Sequence, residues 1–422
     1  MTEPFDILIS GGGMAGAMLA HQLLQRGSLK VAVVEQQADA SPSKSSFDSR
    51  SIALSEGSIG LLKNWGLWPL LASYASPIKT ITVSDQGHFG KTYLQSSDYQ
   101  LDALGQVIEV EHIGAVLHQR LQPFEAQGRL VWFRPDAISA ITPSLDLQQV
   151  QLKSGLSVSC RLLVIAEGGA SPSRELAGFA LQSDDYGQTA LIANIGLQGP
   201  HQGKAFERFT PTGPLALLPL TQQRYSLVWT LAPERAAQLM QLNEADFLAE
   251  LQKEGGYRAG VFQKAGARAL YPLVLRRASE AARHRVVLLG NSLHNLHPIA
   301  GQGFNLALRD IYSLVLLVQR MQATQAKSFQ LGDYAFTRAY QQLREPDMQQ
   351  LILYTDALVR LFSNSSRLIA FGRNLGLSGL NNCSALKSQL AHFAMGLTPL
   401  RHIEQRLQQL GLAAPVRQSE GA

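Results

Sequence analysis

The segment Phe5-Asp-Ile-Leu-Ile-Ser-Gly-Gly-Gly-Met-Ala-Gly-Ala-Met-Leu-Ala20 constrains this chain more than any other. A short apolar strand runs into a glycine turn and then into an apolar helix. Gly11, Gly13 and Gly16 stand in G-x-G-x-x-G spacing. Such a turn needs residues without Cβ, because the backbone must bend sharply, approach a pyrophosphate and let helix and strand pack closely. The first helical N–H groups, around Met14 and Ala15, then face the anion. A second apolar strand, Val31-Ala-Val-Val-Glu35, ends on an acid. A carboxylate there accepts hydrogen bonds from a ribose 2′-OH and repels a 2′-phosphate, which favours FAD or NAD over NADP at this turn.

A chain of 422 residues is too long for one small core and predicts two or more substructures. Its net charge of +5 is modest and its Lys and Arg are scattered, which argues against nucleic acid as a partner. Cys160 and Cys383 form no CxxC, so no disulfide framework is expected and a reducing compartment fits. The first residues carry Glu3 and Asp6 and no basic side chain, unlike a secretory leader. No apolar run is long enough for a membrane span. The expectation is a cytoplasmic protein, soluble or peripheral to the inner membrane.

Strand and helix patterns alternate at the start, as in a parallel α/β unit. Residues 78–95 alternate like a hairpin, and 186–232 hold short β-like runs separated by Gly, Pro and Gln. The fold class expected is α/β: a Rossmann-like FAD-binding domain with an inserted, mostly antiparallel β-sheet substrate domain and C-terminal helices. In residue terms, 1–75, 100–182 and 278–345 form the discontinuous nucleotide domain. Residues 76–99 and 183–277 form the sheet domain, and 346–422 a helical region. An inserted sheet would leave a cleft between the two.

Two further glycine turns carry chemistry. In Leu163-Val-Ile-Ala-Glu-Gly-Gly-Ala-Ser-Pro-Ser-Arg174 a strand runs into a turn bearing Glu167 and Gly168. The carboxylate can bond either the cofactor or the turn's own N–H groups, and Arg174 can offer charge to a phosphate. The third segment, Leu289 to Ala307, contains Asn291, Pro298, Gly301, Gln302, Gly303 and Asn305. Asn291 offers an amide to a hydroxylated chain, Pro298 a rigid wall, and Gly301 and Gly303 close approach to a flat ligand. A helix N-terminus follows, suited to the anionic pyrimidine end of a reduced flavin. His294 and His297 lack the H-E-x-x-H context of a metal pair, so no metal is expected. No G-x-S-x-G or cysteine nucleophile signature occurs.

In this order and separation the three segments resemble the single-component aromatic flavin monooxygenases with the para-hydroxybenzoate hydroxylase-like fold. Within them the chain is similar to the ubiquinone-biosynthesis branch. The closer likeness rests on Asp48-Ser-Arg-Ser-Ile-Ala-Leu54, Val83-Ser-Asp-Gln-Gly-His88, Tyr99-Gln-Leu-Asp-Ala-Leu-Gly-Gln-Val107, Lys204-Ala-Phe-Glu-Arg-Phe-Thr210, Gly213-Pro-Leu-Ala-Leu-Leu-Pro219 and His297-Pro-Ile-Ala-Gly-Gln-Gly303.

The resemblance implies that Gly11, Gly13, Gly16 and Glu35 hold the ADP half of FAD and that Arg50 lies beside flavin and pyrophosphate. It places Glu167 and Gly168 where the family has Asp-Gly, Asn291 where it usually has Asp, and Gly301 to Gly303 at the isoalloxazine. It implies NAD(P)H as a transient reductant and O2 as co-substrate. The flavin C4a-hydroperoxide would hydroxylate 2-polyprenyl-6-methoxyphenol para to its oxygen. A sibling enzyme acting at another ring position, and a flavin-dependent reductase or oxidase, are the alternatives; a scaffolding role in a biosynthetic complex is the non-enzymatic one. His88 is a weak candidate base. Leu386, Leu390, Phe393 and Leu397 follow helical spacing near Lys387, Arg401, His402 and Arg406. That helix suits either membrane or partner contact, or packing on the protein's own core, with the last favoured.

Overall fold

The computed structural model describes residues 3–38, 50–86, 91–295, 302–324, 329–362, 388, 391–392 and 395–412. The chain opens with β1 (Phe5–Ser10), α1 (Met14–Gln25) and β2 (Val31–Val34). After it come β3 (Ser51–Ser55), α2 (Glu56–Asn64), α3 (Trp68–Leu71), β4 (Ser76–Ile78), β5 (Thr80–Asp85) and β6 (Lys91–Gln95). Then follow β7 (Gly105–Glu109), α4 (Val110–Ala126), β8 (Leu130–Phe133), β9 (Ile138–Pro143), β10 (Gln148–Leu152), β11 (Ser157–Ile165) and α5 (Pro172–Leu176). The next stretch holds β12 (Leu181–Leu197), β13 (Lys204–Thr210), β14 (Gly213–Leu220), β15 (Arg224–Leu231), α6 (Pro233–Gln241) and α7 (Glu244–Gly255). Last come β16 (Phe262–Ala265), β17 (Ala269–Ala278), β18 (Ala282–Arg283), β19 (Val286–Leu288), β20 (His294–Asn295), α8 (Gln302–Thr324), α9 (Tyr334–Phe362) and α10 (Leu397–Gln409).

The first sheet runs β18-β19-β11-β1-β2-β8, with β10 and β9 added beyond β11. Its centre is parallel: β1 pairs with β2 and β11, β2 with β8, and β11 with β19. Covered on both faces, these strands read as unbroken apolar runs, and Ile7, Leu8 and Ile9 are fully buried. Because β1, β11 and β19 are parallel neighbours, their C-terminal ends lie at one edge. The three glycine-bearing turns begin there. Ligands of open α/β sheets bind at this edge.

The second sheet runs β20-β17-β12-β15-β14-β13-β5-β6, with β16 on β12. It is antiparallel except for β13 beside β5. The expected hairpin over 78–95 is β5 and β6. One face buries Leu191, Ile195, Leu217, Leu227 and Trp229 against Leu239 of α6 and Phe247 of α7. The sequence reading missed these two helices. Their signals are local: Pro233 opens α6, and the Asn243 side chain caps α7 by accepting the N–H of Asp246 at 2.9 Å. The other face meets a small sheet, β3-β7-β4, through Ala205, Leu218 and Leu220 against Val107 and Ala53.

Two links tie the sheets together. Arg224 of β15 donates to both carboxylate oxygens of Glu109 at the end of β7, at 3.0 and 3.1 Å, with both residues buried. The third glycine segment supplies β20, which pairs with Arg276 and Arg277 of β17. Helix α10 buries Ile403 and Leu407 on the main core. Its predicted forerunners Leu386, Leu390 and Phe393 lie outside the described residues.

Candidate active site

The first turn leaves β1 at Gly11, whose φ of +102° is closed to side chains. A Cβ there would stand 2.7 Å from the carbonyl oxygen of Ala166, at the exit of β11. At Gly16 it would stand 1.9 Å from the Gly11 oxygen, so helix and turn touch backbone to backbone. Gly13 differs. It is the N-cap of α1, no side chain caps the helix, and a Cβ would meet nothing within 4 Å. The N–H groups of the first helical turn, with Met14 and Ala15 half-buried beside them, therefore face open space, and no acid sits in that turn. An uncapped helix N-terminus of this kind suits an anion.

Glu35 follows β2 and fixes the turn from the side. Its Oε2 accepts the N–H of Gly12 at 2.7 Å and its Oε1 the N–H of Gln37 at 2.9 Å. Each oxygen keeps a lone pair for a ligand hydroxyl. Trp132 of β8 closes the wall behind Gly12, where a Cβ would meet its ring at 2.6 Å, and Arg134 lies over that ring at 4.7 Å. The sequence reading had no signal for Trp132, because only strand pairing brings β8 beside β2.

The second turn turns out to be self-contained. Oε2 of Glu167 accepts from the Ser171 hydroxyl at 2.8 Å and the Ser173 N–H at 3.0 Å. Its Oε1 accepts from the hydroxyls of Ser10 and Ser173. In this structure the carboxylate bonds its own turn and Ser10 of β1. Arg174 is 2% exposed, and its Nη1 donates to the carbonyls of Gly169 at 3.3 Å and Ser292 at 3.1 Å. Burial lowers its pKa. Its Nη1 holds two turns together, and its Nε has no hydrogen-bond partner among the described residues. Gly168, at φ +96°, exchanges hydrogen bonds with the Ser292 hydroxyl.

The third turn packs against the first. Gly290 has φ +61°, and a Cβ on it would stand 3.4 Å from Cβ of Ala307 in α8 and 3.7 Å from Cβ of Ala15 in α1. Asn291 is exposed at this bend, with its Oδ1 4.0 Å from the Cβ position of Gly303. Asn305 is buried and bridges to β3: its Oδ1 accepts the Ser55 N–H at 2.9 Å and its Nδ2 donates to the Ala53 carbonyl at 2.8 Å. Arg50 precedes β3 and is exposed. His88, Pro298 and Gly301 lie outside the described residues, as does the side chain of Gln302.

Beneath the third turn lies a buried charge network. Oδ2 of Asp310 accepts from Nε2 of His294 and the N–H of Gly290, both at 2.9 Å, and Oδ1 accepts from Nε of Arg344 at 2.7 Å. Arg344 and Arg309 both pair with Asp347. Burial pushes Asp310 up, but Arg344 and His294 outweigh it and hold the carboxyl below its ordinary value. His294 is thus a structural partner of Asp310. Among the described residues the one acidic-histidine cluster is Glu109, Glu111 and His112, and Glu109 is already committed to Arg224.

The family model described as FAD binding domain matches residues 4–342. The chain is 34% identical to ubiquinone hydroxylase UbiL of Rhodospirillum rubrum over 94% of its length and 90% of that protein. It is 32% identical to 3-demethoxyubiquinol 3-hydroxylase of Escherichia coli, over 94% and 99% of the two chains. Among solved structures, p-nitrophenol 4-monooxygenase PnpA of Pseudomonas putida superposes with a TM-score of 0.74 at 15% identity, over 96% of this chain and 99% of that one, a likeness of fold.

Proposed function

The chain belongs to the FAD-binding-domain family of flavoprotein monooxygenases, and from that premise we propose that it hydroxylates a polyprenyl-methoxyphenol in ubiquinone biosynthesis. The reaction is that of a 2-octaprenyl-6-methoxyphenol hydroxylase: 2-polyprenyl-6-methoxyphenol becomes 2-polyprenyl-6-methoxy-1,4-benzoquinol, with NAD(P)H and O2 consumed.

The observation that carries the reading is the uncapped N-terminus of α1 at Gly13, flanked by Glu35 and locked to the other two turns. The residues fit FAD. Free N–H groups at Gly13, Met14, Ala15 and Gly16 suit the pyrophosphate, and Glu35 suits a ribose diol. Asn291, Gly303 and the start of α8 suit the ribityl chain and the flavin ring, with Pro298, Gly301, Gln302 and Arg50 assigned there by sequence position. Glu167, Gly168, Arg174 and Asn305 hold the turns that hold the cofactor. Bound FAD supplies the redox and oxygen chemistry. The protein's share is to clamp the nucleotide, present the phenol ring and exclude water. No helix among the described residues is long and apolar enough to cross a membrane.

A second reading has an observation on its side. A relative as similar as 32% is named for hydroxylation at another ring carbon. The purified holoprotein, given NAD(P)H, 18O2 and 2-polyprenyl-6-methoxyphenol, should yield the para-quinol with one labelled oxygen. Labelled product at another carbon, or turnover only of a demethoxy substrate, would move the assignment to the sibling reaction. Reductant consumed with no label in any product would make the protein a reductase or oxidase.

A further inference from the structure

Strand register places one carboxylate in an apolar row across the second sheet. Val83 of β5 stands opposite Glu207 of β13, Glu207 opposite Ala216 of β14, Ala216 opposite Val228 of β15, Val228 opposite Ile192 of β12, and Ile192 opposite Ala269 of β17. Directly paired residues share a face. All six are half-buried, unlike the packed residues of the opposite face under α6 and α7. The row continues onto β6, where Thr92 stands opposite Val83, and Glu207 is its one ionisable member.

This face looks toward the cofactor turns. In the next row on one side of Glu207, Ala205 and Leu218 pack against Val107 and Ala53. Ala53 is in turn bonded by Asn305 of α8. Oε1 of Glu207 is shielded from solvent and has no hydrogen-bond partner among the described residues. An unpartnered buried carboxyl is costly and calls for an explanation. Burial alone pushes its pKa up to about 7. The described groups sharing its face on β5, β13 and β14 are Ile81, Val83, Asp85, Ala205, Phe209, Pro214, Ala216, Leu218 and Leu220. Asp85, opposite Phe209, is the one titratable group among them.

We propose that Glu207 receives the phenol hydroxyl of the substrate and acts as its proton acceptor. The inference rests on the hydroxylase reading above. The phenol O–H breaks heterolytically: its electron pair stays on oxygen as phenolate, and the proton forms a new O–H bond to Oε1. No electron leaves the ring in this step. A carboxylate titrating near neutrality is a far stronger base toward a phenol than an ordinary Glu of pKa about 4.3. The apolar row beside it accommodates the ring and the start of the prenyl tail.

The test uses wild type, E207Q and E207L as FAD holoproteins with 2-geranyl-6-methoxyphenol as probe. The probe is followed by perturbation of the flavin absorbance and by turnover. Expected for E207Q is an about hundredfold or greater loss in kcat, loss of the kcat/KM limb near neutral pH, under tenfold weaker probe binding, and unchanged FAD content. Thermal stability of E207Q and E207L should be equal to wild type or higher, since an unpaired carboxyl has gone. Wild-type turnover with E207Q equally fast, or slow with the pH limb intact, overturns the proposal. So does failure of both variants to fold, which would mark Glu207 as structural. A wild type that hydroxylates no phenol refutes instead the functional reading beneath it.

Discussion

The Glu109–Arg224 pair joins the small sheet to the second sheet, and its energetics can be worked from the structure. Both charges are buried, and the pair is bidentate at 3.0 and 3.1 Å. Arg224→Met strands Glu109 with only the His112 ring, 3.7 Å away. Breaking a buried pair from one side costs about 3–5 kcal/mol. Glu109→Met should cost less, because the Arg224 guanidinium keeps the Thr221 carbonyl at 3.2 Å and its hydroxyl at 3.5 Å. The double Met variant leaves neither charge unpaired and should recover to within about 1–2 kcal/mol of wild type, since apolar replacement of buried pairs is often near neutral. Urea unfolding followed by tryptophan fluorescence measures all four corners of the cycle. The coupling should exceed about 2 kcal/mol. Single-variant losses that add to the double-variant loss within about 0.5 kcal/mol would show the residues to be independent and refute the argument.

Gly13→Glu should fold like wild type, because a side chain there enters open space at an ordinary φ of −64°. It should purify colourless, since a carboxylate then sits on the anion cradle; normal absorbance at the flavin band would count against that site. For Glu207 the pKa raised from 4.5 to about 7 sets the sign of a pH effect. The folded state binds the proton more tightly, so the stability it contributes is complete below 4.5 and lost as pH rises through about 7. E207Q should therefore gain up to about 3 kcal/mol over wild type at pH 8 relative to pH 4; parallel pH–stability curves would contradict this. Burial pushes the Cys160 thiol up to about 12. Alkylation of the native protein, mapped by mass spectrometry, should leave Cys160 unmodified until denaturant is added.

What the sequence makes legible is whatever a short segment decides alone. The turn at Gly11–Gly16 is such a case: strand, bend and helix are contiguous, and each glycine answers a local steric demand. Glu167 is the opposite case. Its partners Ser10, Ser171 and Ser173 are anonymous serines, and one comes from a strand far away in the chain. Only the parallel register of β1 and β11 turns that carboxylate inward upon its own bend. Arg174 looks like a surface cation until α5 and the third turn close over it. Glu207 is invisible in the same way. Its significance lies in a row across β5, β13, β14, β15, β12 and β17, and cross-strand register is not written in any one strand. Helices α6 and α7 are different, since Pro233 and Asn243 mark their starts locally and both lie within a run of short strands.

The third turn ties the edge of the first sheet to the second sheet. Its backbone is wedged between α1 and α8 at Gly290, and it adds β20 to the edge of the second sheet beside β17. Asp310 holds both parts, accepting from the Gly290 N–H and from His294 of β20. Arg344 and Asp347 fix Asp310 from α9. Neither the nucleotide edge nor the sheet edge can move without disturbing a fully buried carboxylate held by Arg344, His294 and the Gly290 N–H, and that disturbance is costly in a low-dielectric interior. The distance between an anion cradle at α1 and a half-buried carboxyl on β13 is thereby set by the scaffold, as a reaction between a bound ring and a bound nucleotide requires.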